Sequence, residues 1–375
     1  MFKSLFKNYI YPVATLVGSI IGVGFLALPY ITLKVGIWPM LFYFAVLTTF
    51  ITFMHVTFGQ ISLKTPDHKM WPGFVGFYFG KWAQRIVLFL ITMGLIGVLL
   101  AYLIIGGEFL SNILIPFFGG SSLIYVLIYF VLASAFVYFG EKTISKLDFL
   151  AISSLLIILL VVLIKGYSNI KFANIFTNQP FFSDFKTMFL PYGAIMFSLW
   201  GVGLIPQIEE MVVKNKKSLK SIIIVGTLTA SVFYLLFIFL ILSITGAKTT
   251  ESALIGLSDF LPKSIVWVAL LIGVITTFIA FITQGLLLKK ILMYDARVPE
   301  FGAWIFVCFA PLLLFFLGLN SFISLISFIG GFLLPIDGIL ISLMYLKTGG
   351  KKIVAYPLVL VFVLGIIYTV FYYIN

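Results

Sequence analysis

Apolar residues fill this chain in blocks of about 20, each long enough as a helix to cross a hydrocarbon layer of about 30 Å, with short polar segments between them. The strict alternation of apolar and polar positions that marks a barrel strand is absent, so the blocks read as helices. The pattern predicts eleven spans, at about 9–33, 37–63, 85–112, 122–140, 147–165, 185–213, 219–246, 264–292, 301–318, 320–346 and 353–374. So little lies outside them that residues 1–375 read as a single transmembrane domain.

Two spans carry the same interruption. Ser19-Ile20-Ile21-Gly22-Val23-Gly24 lies in the first, and Ser198-Leu199-Trp200-Gly201-Val202-Gly203 in the sixth. Glycine inside a helix costs about 1 kcal/mol relative to alanine. Pro29 and Pro206 follow within a few residues, each removing an amide and clashing with the preceding turn. Both helices are expected to unwind there, near mid-membrane. Gly22 and Gly201 are 179 positions apart, or five spans. An odd repeat turns its second copy over in the membrane, so spans at about 9–165 pair with those at about 185–346, and 353–374 is extra. Gly-x-Gly also permits close helix packing, and that reading stays open. Backbone freed by a break must be buried in protein or line a cavity. Opposed half-helix ends would offer amides to a carboxylate and carbonyls to an ammonium, which suits a zwitterion. If Gly22, Gly24, Gly201 and Gly203 let backbone reach a ligand, replacing any one with leucine should abolish uptake while leaving expression and thermal stability nearly unchanged.

Composition agrees with the spans: 62% of residues are hydrophobic and 10% charged, where a soluble domain carries roughly a quarter charged. The net charge of +12 changes the picture only through its placement. Lys34, Lys165, Lys171, Lys186, Lys248 and Lys263 fall on one side of the spans, and the other eighteen of 24 basic residues fall on the N-terminal side. That bias predicts a cytoplasmic N-terminus and an external C-terminus, and it explains the charge without a nucleic-acid partner. The stretch MFKSLFKNYIY reads as the start of the first span rather than a cleaved leader. Cys308, the only cysteine, sits in an apolar run and founds neither a disulfide nor a thiolate metal site.

Gly22-Val23-Gly24-Phe25-Leu26-Ala27-Leu28-Pro29-Tyr30 resembles the first-helix signature of the amino acid/auxin permease family, and Pro206-Gln207-Ile208-Glu209-Glu210 resembles its sixth-helix signature. The family lies in the amino acid–polyamine–cation superfamily and includes bacterial aromatic amino acid permeases. The resemblance implies a leucine-transporter-type fold of eleven helices, five plus five inverted with one added. It implies substrate contacts from Ser19, Ile20, Gly22, Val23 and Gly24, from Phe197, Ser198, Trp200, Gly201 and Gly203, and from Tyr102 in the third span. Tyr102 also reads as a core aromatic and Trp200 as a lipid-facing one.

The same resemblance implies a cation site from Thr276 and Thr277 with the carbonyls of Gly18, Ile21 and Gly273. Without the resemblance, the commoner reading of such threonines is a bond to their own preceding turn. A first cation site is expected to be missing, because its asparagine falls at Phe25. Proton-coupled relatives place a lysine from the fifth span at the second site, whereas AISSLLIILLVVLI here reaches Lys165 only at its outer end. Sodium and protons both remain as coupling ions, with Glu108, Asp337 and His55 as candidate proton carriers or satisfied polar contacts. Glu209 and Glu210 read as local charge pairs beside Lys214-Asn215-Lys216-Lys217.

No Walker loop, His-Glu-x-x-His or nucleophile elbow is present, so an enzyme or a hydrolysis-driven pump is not expected. Metal-ion transporters of the superfamily carry Asp-Pro-Gly-Asn where this chain has Ser19-Ile20-Ile21-Gly22. The expectation is an ion-coupled importer of neutral, large or aromatic amino acids, acting as a monomer in the inner (cytoplasmic) membrane without a cofactor beyond the coupling ion. The rival is an amino-acid-sensing receptor of the spore-germinant type, which binds without transporting and generally has ten spans.

Overall fold

A computed structural model of the chain describes residues 6–66, 70–139, 156–176, 185–212 and 218–374. The first part of the fifth expected span, to residue 155, lies outside them, as do Lys3, Lys69, Lys142, Lys146, Lys214, Lys216 and Lys217. Regular structure among the described residues is helical throughout.

The first expected span is two helices. Tyr11–Ile20 (α1) stops at the glycine pair, a 3-10 turn covers Gly24–Ala27, and Leu28–Val35 (α2) continues with Pro29 in its first turn. The halves are bent by 55°. Proline is harmless there because a first-turn amide has no helical partner to lose. Gly36, at φ 87°, turns the chain into Ile37–Lys64 (α3).

An element absent from the sequence reading follows, Trp71–Phe79 (α4). Its Pro72 and two glycines look like loop punctuation, yet Pro72 again occupies a first turn. Gly80, at φ 88°, leads into Lys81–Phe118 (α5), a 38-residue helix that outruns its expected 85–112 at both ends. Ser122–Phe139 (α6) and Leu156–Asn169 (α7) come next.

The sixth expected span is also broken. Leu190–Leu199 (α8) ends at an extended Trp200 (φ −72°, ψ 117°), Val202–Leu204 forms a 3-10 turn, and Ile205–Met211 (α9) resumes with Pro206 in its first turn. Leu219–Thr245 (α10), Lys263–Tyr294 (α11) and Glu300–Phe316 (α12) come next. The tenth expected span is not one regular helix: Phe322–Phe328 (α13) passes through a π-helical turn, Ile329–Leu333, into Leu334–Lys347 (α14). There a Cβ on Gly330 would collide with the Gly193 carbonyl of α8, so the two backbones are in contact. Lys352–Ile374 (α15) is last.

Among the described residues seven helices are long and apolar enough to cross a membrane, eight if the bent α1–α2 pair counts as one. Large apolar side chains such as Phe136, Phe309 and Leu360 are exposed on their outer faces, as lipid contact requires. Inside, α10 packs on α1 and α3, α8 on α3 and the π turn, and α11 along α5. The short α4 is fastened across α14 at both ends. Trp71 Nε1 donates to Asp337 Oδ1 at 2.9 Å, and Lys347 Nζ donates to the Tyr78 carbonyl at 2.7 Å while lying over the Phe79 ring.

Candidate functional site

Two rows of polar residues bring the broken helices into register. On α3, Thr48, His55 and Ser62 recur every seventh residue, and on α10, Thr227, Ser231 and Tyr234 follow i, i+4, i+7 spacing. Each set therefore occupies one helix face. Thr48 Oγ1 and Ser231 Oγ are 2.8 Å apart, His55 Nδ1 and Thr227 Oγ1 are 3.2 Å apart, and Ser62 Oγ donates to Glu209 Oε2 at 2.5 Å. All six side chains are buried. In hydrocarbon such groups need internal partners, and these pairs supply them.

The breaks touch at this seam. A Cβ on Gly24 would lie 2.6 Å from Phe197 Cδ1 and 2.7 Å from Ser198 Oγ, and one on Gly201 would lie 2.7 Å from Ile20 Cγ1. Only glycine allows that approach. Tyr234, wholly buried, points its hydroxyl between the last turns of α1 and α8, 2.8 Å from the Ile20 carbonyl and 2.8 Å from the Ser198 carbonyl. His55 Nε2 accepts the Gly201 amide at 3.1 Å, and its ring meets Trp200 edge-to-face with centroids 6.5 Å apart. Two carbonyl-bearing helix ends thus converge on one phenol, and one freed amide converges on an imidazole.

The residues expected to contact substrate are brought together in part. Gly24 meets Phe197 and Ser198, Ile20 meets Gly201, and Gly22 lies beside Tyr102, whose hydroxyl would be 3.3 Å from a Cβ on that glycine. Val23 is buried, and the Ser198 hydroxyl turns back to the Ala194 carbonyl at 2.7 Å. Ser19 is exposed, and Gly203 is exposed with open space where a Cβ would stand. Burial is one-sided: residues 23–29 and 191–196 are all buried, so open surface reaches the breaks from the α1 and α9 side.

For a cation, Thr276 and Thr277 hydroxyls both donate to the Gly273 carbonyl, at 3.0 and 2.9 Å. Their protons are directed along their own helix, so those bonds do not use the oxygen lone pairs. Gly18 is half-buried and Ile21 buried at the end of α1. Phe25 is enclosed by Phe233, Tyr234 and Phe237 of α10. Of the candidate proton carriers, His55 is fully buried at the break, Asp337 holds Trp71, and Glu108 lies within electrostatic reach of Glu251. Glu209 is not merely a surface partner of the following lysines, since it is buried against Ser62; those lysines lie outside the described residues. Among the described residues no three His, Cys, Asp or Glu side chains are grouped to hold a metal ion.

Sequence reasoning missed Tyr234, Thr227 and the His55 contacts. The seven-residue recurrence on α3 and the i, i+4, i+7 row on α10 were the available signals.

Known proteins resemble this chain in sequence and in fold. "Tyrosine-specific transport system 1" of Haemophilus influenzae is 26% identical over 220 residues, 58% of this chain and 54% of that protein, so the match spans about half of the relative's length. MhsT in complex with L-phenylalanine superposes with a TM-score of 0.68 at 14% identity, covering 97% of this chain and 96% of its own. The inward-facing conformation of Mhp1 gives 0.67 at 13% identity, covering 96% and 88%; the closed conformation of this nucleobase-cation-symport-1 family transporter gives 0.64, covering 90% and 77%. At such identities the likeness is one of fold, an all-helical transporter fold of the leucine-transporter type. A family model described as transmembrane amino acid transporter protein matches residues 8–372, nearly the whole chain, and the chain belongs to that family, one of multi-pass membrane transporters and not of enzymes.

Proposed function

We propose that this chain is a secondary active transporter that imports neutral amino acids, large or aromatic ones among them, by cation-coupled alternating access. The observation that carries the reading is the convergence of the two breaks, with Gly24 against Ser198 and the Ile20 and Ser198 carbonyls on one hydroxyl. Backbone groups at opposed half-helix ends suit the two charges of an amino acid. Side chains near the breaks, Ser19, Val23, Phe197, Ser198 and Trp200, carry no charge, which favours a neutral substrate side chain, and aromatic walls favour a large one.

In this reading the eleven spans comprise the seven long helices, the α1–α2 pair, the α8–α9 pair, α7 and α12. Spans one to five and six to ten form the inverted repeats, with α15 added and the N-terminus in the cytoplasm of a cell whose inner membrane holds the protein as a monomer. The exposure of Ser19 and Gly203 beside a buried outer half supports a conformation open to the cytoplasm. Sodium is the coupling ion we favour, at Thr276, Thr277 and the carbonyls of Gly18, Ile21 and Gly273. The packed cage around Phe25 supports a single cation site.

Uptake of labelled L-phenylalanine into liposomes holding the purified protein tests the coupling. An inward sodium gradient without a pH gradient should exceed choline, and Thr276→Ala with Thr277→Ala should erase the difference. Uptake indifferent to sodium and driven by protons would refute sodium coupling.

A further inference from the structure

A backbone amide at a helix break has lost its place in the helical ladder and needs another acceptor. At the α8–α9 break the amide of Gly201 donates to His55 Nε2 at 3.1 Å. An amide can only donate, so Nε2 is bare and the imidazole proton sits on Nδ1. Nδ1 lies 3.2 Å from Thr227 Oγ1. That hydroxyl sends its own proton to the Ile223 carbonyl at 2.9 Å, so its oxygen is free to accept from the ring. The three bonds run in one direction, and only one neutral tautomer satisfies all of them.

We propose that His55 is a positioning residue of the substrate site: a neutral, Nδ1-protonated imidazole that holds the Gly201 amide, fixes the shape of the α8–α9 break, and carries no proton during transport. The proposal rests on the reading of the breaks as the place where substrate binds. A second proton on Nε2 would set two N–H groups against each other. It would also put a positive charge among Thr227 of α10, Trp200 and Gly201 of the break and Ile20 of α1, none of them acidic. The bonds at Thr48 and Ser62, one heptad to either side, hold the ring's helix in place.

Nitrogen NMR of histidine-labelled protein in lipid nanodiscs reads the tautomer directly, with His68→Asn removing the only other histidine. One species is expected, protonated on Nδ1 and bare on Nε2, unchanged from mildly acidic to alkaline buffer. An Nε2-protonated ring, or an imidazolium at neutral pH, would overturn the proposal. Labelled L-phenylalanine then reads the role in two assays: exchange against internal phenylalanine, which requires no net proton movement, and accumulation under an imposed gradient. His55→Leu leaves a buried donor unpaired and should weaken apparent affinity about tenfold or more in both assays. His55→Gln returns an acceptor that does not titrate and should recover most of that loss in both. A glutamine variant that exchanges yet no longer accumulates would show His55 to be a proton carrier. Should the leucine variant fail to fold, the glutamine variant and the spectrum still decide. A wild-type protein that moves no amino acid would remove the transport reading and leave the tautomer result standing.

Discussion

Phe25 and Tyr234 lie face to face, with ring centroids 5.7 Å apart and planes 7° apart. Phe237 meets the same ring edge-on at 4.7 Å and Phe233 at 5.7 Å, so Phe25 is closed in on several sides and 3% exposed. The Phe25 side chain supplies no oxygen ligand and is packed against three aromatic rings. Sodium activation of uptake should therefore be hyperbolic, as for one cation, and a sigmoidal curve would contradict the single site. Phe25→Ala should destabilise the protein by about 3–5 kcal/mol, seen as a fall in melting temperature in detergent.

The four glycines of the breaks should separate into two classes. A Cβ on Gly24 meets Phe197 and Ser198 below 3.0 Å, so Gly24→Ala must push both side chains and should cost about 1–3 kcal/mol. Leucine at any of the four positions is thus not uniformly harmless to stability, contrary to the expectation from sequence. Nothing lies within 4 Å of a Cβ on Gly203. Gly203→Ala should leave stability equal or higher by up to about 1 kcal/mol, read as an unchanged or slightly raised melting temperature, while raising the apparent KM for substrate. Normal KM in that variant would mean that substrate does not approach the α9 side of the break.

Tyr234→Phe removes the one proton that the Ile20 and Ser198 carbonyls share, and the Ile20 carbonyl keeps the Gly22 amide at 2.8 Å. A stability loss of about 1–3 kcal/mol follows from the lost buried hydrogen bond. Because the phenol joins α1 to α8, the variant should also loosen substrate affinity more than Tyr9→Phe, which removes a hydroxyl bonded to Ser221 far from the breaks. Equal effects of the two variants on KM would contradict a role for Tyr234 in setting the breaks.

The breaks were legible in the sequence because glycine pairs and following prolines act locally, and the structure stops α1 and α8 at those words. What holds the breaks was harder to read. Tyr234 and His55 act on residues 214 and 146 positions away, and no local propensity encodes such contacts. Their helical spacing hinted at polar faces without naming what those faces meet. The α4 helix was missed because Pro72, Gly73 and Gly76 look like loop residues. Its register is set by Trp71 reaching Asp337 and by Lys347 capping Tyr78, again from the far end of the chain. The π turn at Ile329–Leu333 carries Gly330 against the Gly193 backbone, a contact that likewise appears only in three dimensions.

The central claim is that the chain moves neutral amino acids through the paired breaks without a partner protein. Competition by each of the twenty common amino acids against labelled L-phenylalanine uptake, in liposomes containing this protein alone, tests it most directly. The account predicts concentrative uptake that leucine, phenylalanine, tyrosine and tryptophan suppress and that lysine and glutamate do not. Strong competition by lysine or glutamate with none by the apolar and aromatic amino acids, or binding with no uptake under any ion gradient, would contradict it.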